Sequence, residues 1–126
     1  MTTAQTKYLG AGLFFLFIFL SGFWLSRSGK PYNSLVFNAH KLIGLGMGVY
    51  LIRTVYRTHQ IASLDPMEIT VIAVTVVLFL GTVVAGGLVS TDMRLPIAVA
   101  WVHKLSPYLI VLSTGVTLYL LLNRKL

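Results

Sequence analysis

The chain contains no cysteine, which excludes disulfides, thiolate metal sites and cysteine nucleophiles. Acids are nearly as scarce: Asp65, Glu68 and Asp92 are the only three in 126 residues. None lies inside a long apolar run, so the chain lacks the intramembrane carboxylate on which a cation-coupled carrier usually depends. Charged residues make up 10% of the chain, against about 25% in soluble domains. Apolar residues make up 56%, more than the core of so short a soluble chain could bury. A bilayer removes that difficulty, because lipid itself is the apolar surrounding. There is room for one domain. The net charge of +7 does not point to nucleic acid. The basic residues stand singly or in pairs at the ends of apolar runs, where membrane orientation and lipid contact account for them.

What is present is a set of four apolar runs, each close to the ~20 residues that cross a bilayer. The first runs from Tyr8 to Leu25, with Ser21 its only interior polar side chain and Trp24 as an interface anchor. A cleaved signal peptide is the competing reading, but the run is long for one and Leu20-Ser21-Gly22 is a poor cleavage site. A turn containing Arg27, Gly29, Lys30 and Pro31 follows. Asn33 or Ser34 is placed to cap a second helix over Leu35–Tyr56, and Arg57–Pro66 reads as a polar connection. Asp65 before Pro66 fits an N-cap with proline in the first helical position, opening a third helix over Met67–Val89. Pro96 opens the fourth, which ends near Leu122 ahead of a basic tail containing Arg124 and Lys125. The expected fold is an all-α, integral membrane, four-helix up-down bundle forming one domain. Lys7, Arg53, Arg57, Arg124 and Lys125 then share one side, against Arg27, Lys30 and Arg94 with Lys41 and Lys104 deeper. This balance favours cytoplasmic termini.

The halves repeat. His40-Lys41-Leu42 in the second run matches His103-Lys104-Leu105 in the fourth. Gly22 precedes Pro31 by nine residues, as Gly87 precedes Pro96. Two repeated helical hairpins are therefore expected.

Ionisable residues within a membrane are costly, and each is a functional candidate. Here they are His40, Lys41, His103 and Lys104. The two histidines fall on parallel helices, each about 10 Å below the helix start at 1.5 Å per residue. An imidazole pair at one depth suits axial ligation of a haem iron. Gly44 and Gly48, four and eight residues after His40, offer room on its face, as do Gly22 and Gly87 on the other helices. Pro107, four after His103, removes the amide that would bond the His103 carbonyl. Lys41, Lys104, Lys30, Arg27 and Arg94 lie on the same side and are candidate partners for haem propionates. For Lys41 and Lys104 outward snorkelling is an equal alternative. A structural zinc site wants four ligands and finds none beyond the two histidines at that depth. His59 falls in the second connection; a quinone headgroup could touch it, though nothing in the sequence demands one. Phe14, Phe15, Phe17 and Phe19 are expected to face lipid, and the tyrosines and tryptophans to form interface belts.

At His40-Lys41 and His103-Lys104 the chain resembles the small membrane-bound b-type cytochromes. The resemblance rests on the four-helix plan and the paired histidines. It implies haem b held by His40 and His103, one-electron transfer as a membrane anchor or subunit of a redox complex in a bacterial inner membrane, and a quinol or periplasmic carrier as partner. Many such proteins carry four ligating histidines and two haems; this chain has two intramembrane histidines and supports one. Alternatives are a cofactor-free scaffold subunit, whose histidines tie helices together, and a small transporter relaying protons through them.

Overall fold

The computed structural model describes residues 2–123. The tail residues Arg124 and Lys125, counted above toward membrane orientation, lie outside the described residues. Four helices follow in order: α1 Thr3–Ser28, α2 Ser34–Ile61, α3 Pro66–Val89 and α4 Ile97–Leu118, with a π-helical turn at Tyr119–Asn123. No strand occurs among the described residues. All four helices are long and apolar enough to cross a membrane, which marks a multi-pass membrane protein. The chain divides after Ile61 into two compact units. Each is a helical hairpin, α1 with α2 and α3 with α4.

Capping moves several boundaries from their expected places. α1 starts five residues before the apolar run because Thr2 and Gln5 form a reciprocal capping box. That arrangement satisfies two orphan amides and makes the polar segment Thr3–Lys7 helical. Gly29 ends α1 at φ 69°, with its amide bonded to the Leu25 carbonyl. This left-handed conformation is one that glycine adopts without steric cost. Asn33 caps α2, its Oδ1 accepting from the amides of Leu35 and Val36 at 3.0 and 3.2 Å. α2 continues past Tyr56 to Ile61, so the expected connection from Arg57 shrinks to residues 62–65 and His59 is helical and exposed. Pro96 is the N-cap of α4 rather than its first residue.

Asp65 caps α3 as expected. Its carboxylate accepts from the Glu68 amide at 2.8 Å, while Glu68 Oε2 accepts from the Asp65 amide at 3.3 Å. Removing such a cap costs about 1 kcal/mol. Asp65→Ala is therefore expected to lower denaturant resistance by about that amount in detergent, and Asp65→Asn by much less.

The first hairpin closes by placing large side chains on glycines. A Cβ at Gly10 would stand 2.5 Å from the Tyr50 hydroxyl, one at Gly46 3.2 Å from Phe14, and one at Gly44 3.2 Å from Ile18. Tyr50 donates to the Lys7 carbonyl at 2.9 Å and packs against Phe14 at 5.4 Å. Phe14 thus faces α2 rather than lipid, while Phe17 stays exposed. Small residues permit this approach where lipid supplies no hydrophobic drive between helices.

The second hairpin closes differently, through hydroxyls. Thr82 meets Ser106 at 2.5 Å, and Thr75 hydrogen-bonds Ser113 and approaches Thr117 at 3.4 Å. Thr75, Thr82, Ser106 and Thr117 also lie within hydrogen-bond distance of carbonyls of their own helices four residues back, and in the Thr82–Ser106 pair one of the two protons must turn to the partner hydroxyl instead. Interhelical bonds of this type contribute about 0.6 kcal/mol each in membranes.

Candidate functional site

The two histidines occupy equivalent places. Each is the seventh residue of its helix, His40 in α2 and His103 in α4. Six residues of rise put both about 9 Å along the helix. Both are half-buried, and each packs across its hairpin onto a glycine. A Cβ on Gly22 would lie 3.1 Å from His40 Cε1. One on Gly86 would lie 2.5 Å from His103 Cε1.

The expected partner in the second half was Gly87, and here the structure corrects the register. Gly87 has nothing within 4 Å of its would-be Cβ; Gly86 is the glycine under the imidazole. The loop landmarks and the helix faces are offset by different amounts in the two halves. Gly22 and Gly86 are the true counterparts, and Ile18 and Thr82, four residues earlier, form a second matched pair. The second helices match as His40 with His103, buried Met47 with buried Ile110, and buried Thr54 with buried Thr117.

Hydrogen bonding fixes the tautomer of His103. His103 Nδ1 lies 2.9 Å from the Thr82 carbonyl. A carbonyl only accepts, so Nδ1 carries the proton and the lone pair resides on Nε2. His40 Nδ1 lies 2.9 Å from Ser21 Oγ, and that hydroxyl lies 3.1 Å from the Ile18 carbonyl. The single Ser21 proton goes either to that carbonyl, with His40 Nδ1–H donating to Oγ and the lone pair on Nε2, or to Nδ1 itself. An Nδ1–H held by an oxygen acceptor is the arrangement that orients a metal-ligating imidazole. The donor chemistry of His103 fits metal ligation, and that of His40 fits in its Nδ1–H tautomer.

The remaining expected site residues fall as follows. Gly44 and Gly48 are half-buried on α2, and Gly44 is taken up by Ile18 of α1. Arg27, Lys30, Lys41, Arg94 and Lys104 are all exposed. Lys41 Nζ lies 4.4 Å over the Phe37 ring, which stacks on Tyr32 at 5.5 Å. Lys104 lies 5.9 Å over Trp101 and Arg27 5.8 Å over Phe23, at the outer edge of the ~6 Å range for such contacts. Lys41 is thus the most firmly turned to a ring. α4 remains helical through Pro107. Among the described residues, no three His, Cys, Asp or Glu side chains gather into a metal cluster; an axial pair requires only two ligands. Ser21 and the Thr82 carbonyl were not anticipated as partners of the histidines. Ser21 was visible as the lone polar residue inside the first run, and a backbone carbonyl leaves no signal in a sequence.

Fold and site together define a multi-pass helical protein with one oriented, half-buried histidine in each of two repeated hairpins. Comparison with protein-family models, with curated proteins and with solved structures gives no match.

Proposed function

We propose that the chain is a membrane-bound b-type cytochrome that holds one haem b through His40 and His103 and relays single electrons. The observation that carries this reading is the matched pair of imidazoles, each seventh in its helix with Nδ1 hydrogen-bonded to an oxygen. Haem b would supply a one-electron couple at iron. With both axial positions filled by histidine, no site remains for oxygen activation, and electron relay is favoured over catalysis. The chain then acts as an electron-transfer subunit or anchor of a larger oxidoreductase complex, not as an enzyme alone. Its partners would be further subunits and a quinol or periplasmic carrier. Propionate carboxylates would be met by Lys30, Arg94 and Arg27, with Lys104 as a further candidate and Lys41 committed to Phe37. Counted along the sequence, Lys7, Arg53, Arg57, Arg124 and Lys125 outnumber Arg27, Lys30 and Arg94, which favours cytoplasmic termini; a bacterial inner membrane is the placement that the cytochrome reading implies.

A second reading has its own support, since each imidazole already bonds within its own hairpin. Under it the histidines are clamps in a cofactor-free scaffold subunit. Expression with ample haem separates the two. The cytochrome reading predicts a purified protein with about one haem per chain, as two axial ligands permit; the scaffold reading predicts stable, colourless protein.

A further inference from the structure

We propose that Arg53 and Arg57 form a binding site for the phosphate of an anionic membrane phospholipid; the inference is independent of the haem reading. The charge of the chain is unevenly placed. Residues 1–61 hold Lys7, Arg27, Lys30, Lys41, Arg53 and Arg57, and the first acid in the sequence is Asp65. Residues 62–126 hold four basic residues and three acids, a net +1, so the first hairpin carries +6 of the total +7. No carboxylate of that hairpin offsets its cations. Asp65 and Glu68, the next acids in sequence, are engaged with each other in capping α3.

The two arginines stand at headgroup level. Tyr50 donates to the Lys7 carbonyl at 2.9 Å, and the apolar run of α1 begins at the next residue, Tyr8. Tyr50 therefore marks the edge of the hydrocarbon. Arg53 follows three residues later and Arg57 seven, about 4.5 and 10 Å further along α2 at 1.5 Å per residue. The headgroup layer is about 5–7 Å thick on each side, and Arg53 falls within it. Helical side chains lean toward the helix N-terminus, which in α2 is toward the bilayer, so Arg57 reaches back to the same layer.

Their helix face suits an oxyanion. Arg53, Tyr56, Arg57 and Gln60 are spaced i, i+3, i+4 and i+7, which puts them on one stripe, and all four are exposed. Thr54 and Thr58 lie on the other side, 3% and 2% exposed, with their hydroxyls bonded to the Tyr50 and Thr54 carbonyls at 2.9 Å. Burial of the threonines keeps the arginines outward. Each residue of the stripe brings N–H or O–H donors. Like charges four residues apart repel, and an anion between them removes that repulsion. A guanidinium gives a phosphate two parallel bonds. A zwitterionic headgroup would bring its own cation against the second arginine, and an anionic one does not. The depth selects a lipid over a soluble anion.

The test uses the full-length chain in phosphatidylcholine bilayers, with spin-labelled phosphatidylglycerol or spin-labelled phosphatidylcholine as the probe. The immobilised fraction of each label gives its relative association with the protein. Wild type is expected to prefer phosphatidylglycerol by about five-fold or more, the effect of a single cation near an anionic surface. Arg53→Gln/Arg57→Gln should lose most of that preference with helicity unchanged by circular dichroism. Arg53→Lys/Arg57→Lys should fall between, because an ammonium keeps the charge and loses the fork. No preference in wild type, or an equal preference in the glutamine variant, would overturn the proposal. Full preference in the lysine variant would reduce the site to diffuse charge and overturn it too. Displacement of the label by inorganic phosphate or by an oligoglutamate peptide, beyond that by sodium chloride at equal ionic strength, would assign the face to a soluble anion or an acidic partner instead.

Discussion

His40→Ala and His103→Ala are each expected to abolish six-coordinate haem binding, and the double variant to bind none. A partner that merely orients a ligand is worth about 10–100-fold in metal affinity, so removal of the ligand itself must exceed that. The hairpins should survive the change. The hydrogen bond each substitution removes, with Ser21 or with the Thr82 carbonyl, is of a kind worth about 0.5–1.5 kcal/mol. The glycine notches of the first hairpin and the Thr75/Ser113 and Thr82/Ser106 contacts of the second remain. Helicity by circular dichroism should therefore stay near wild type while the haem spectrum disappears. If the histidines were clamps only, the same variants would lose stability and there would be no haem spectrum to lose.

The second large effect is expected at Gly86. A methyl there would stand 2.5 Å from Cε1, 2.8 Å from Nδ1 and 3.2 Å from Nε2 of His103. Three atoms of a rigid ring are involved, so no terminal bond rotation relieves the overlap. Either the ring leaves the Thr82 carbonyl or the two helices separate, and overpacking of this kind costs about 1–3 kcal/mol. Gly86→Ala should thus lower both thermal stability and haemin affinity. Gly22→Ala should act in the same direction but less, because its Cβ would meet only Cε1 within 3.4 Å, at 3.1 Å. Gly87→Ala should be silent, with nothing within 4 Å among the described residues. The order Gly86, Gly22, Gly87 in parallel melting and titration experiments is the expected result. Equal effects at Gly86 and Gly87 would count against the packing described here.

The helices were legible because apolar run length decides membrane spans with little help from tertiary context. Their ends were less so. The α1 start depends on a Thr2/Gln5 capping box within a polar segment, and the α2 end on helix continuing through Arg57 and His59, where hydropathy carries no signal. The repeat was visible in His-Lys-Leu, but its register in the first helices was set by counting from prolines in loops. Loops can absorb a residue without altering helix faces, which is why Gly87 was expected and Gly86 is the glycine in contact. The hydroxyl seam has a signature in the sequence. Thr75 and Thr82 are seven apart, as are Ser106 and Ser113, and seven residues make about two turns and return to one face. Ser21 stands out in the sequence as the lone polar residue inside the first run, but its contact with His40 spans nineteen residues and two helices.

The most direct test of the central claim is the absorption spectrum of the purified wild-type chain, reduced, with and without carbon monoxide. Two histidine ligands leave no open position on iron, so the account predicts a low-spin b-type spectrum that carbon monoxide leaves unchanged. A colourless protein, or a pigment whose reduced spectrum shifts fully with carbon monoxide, would contradict it.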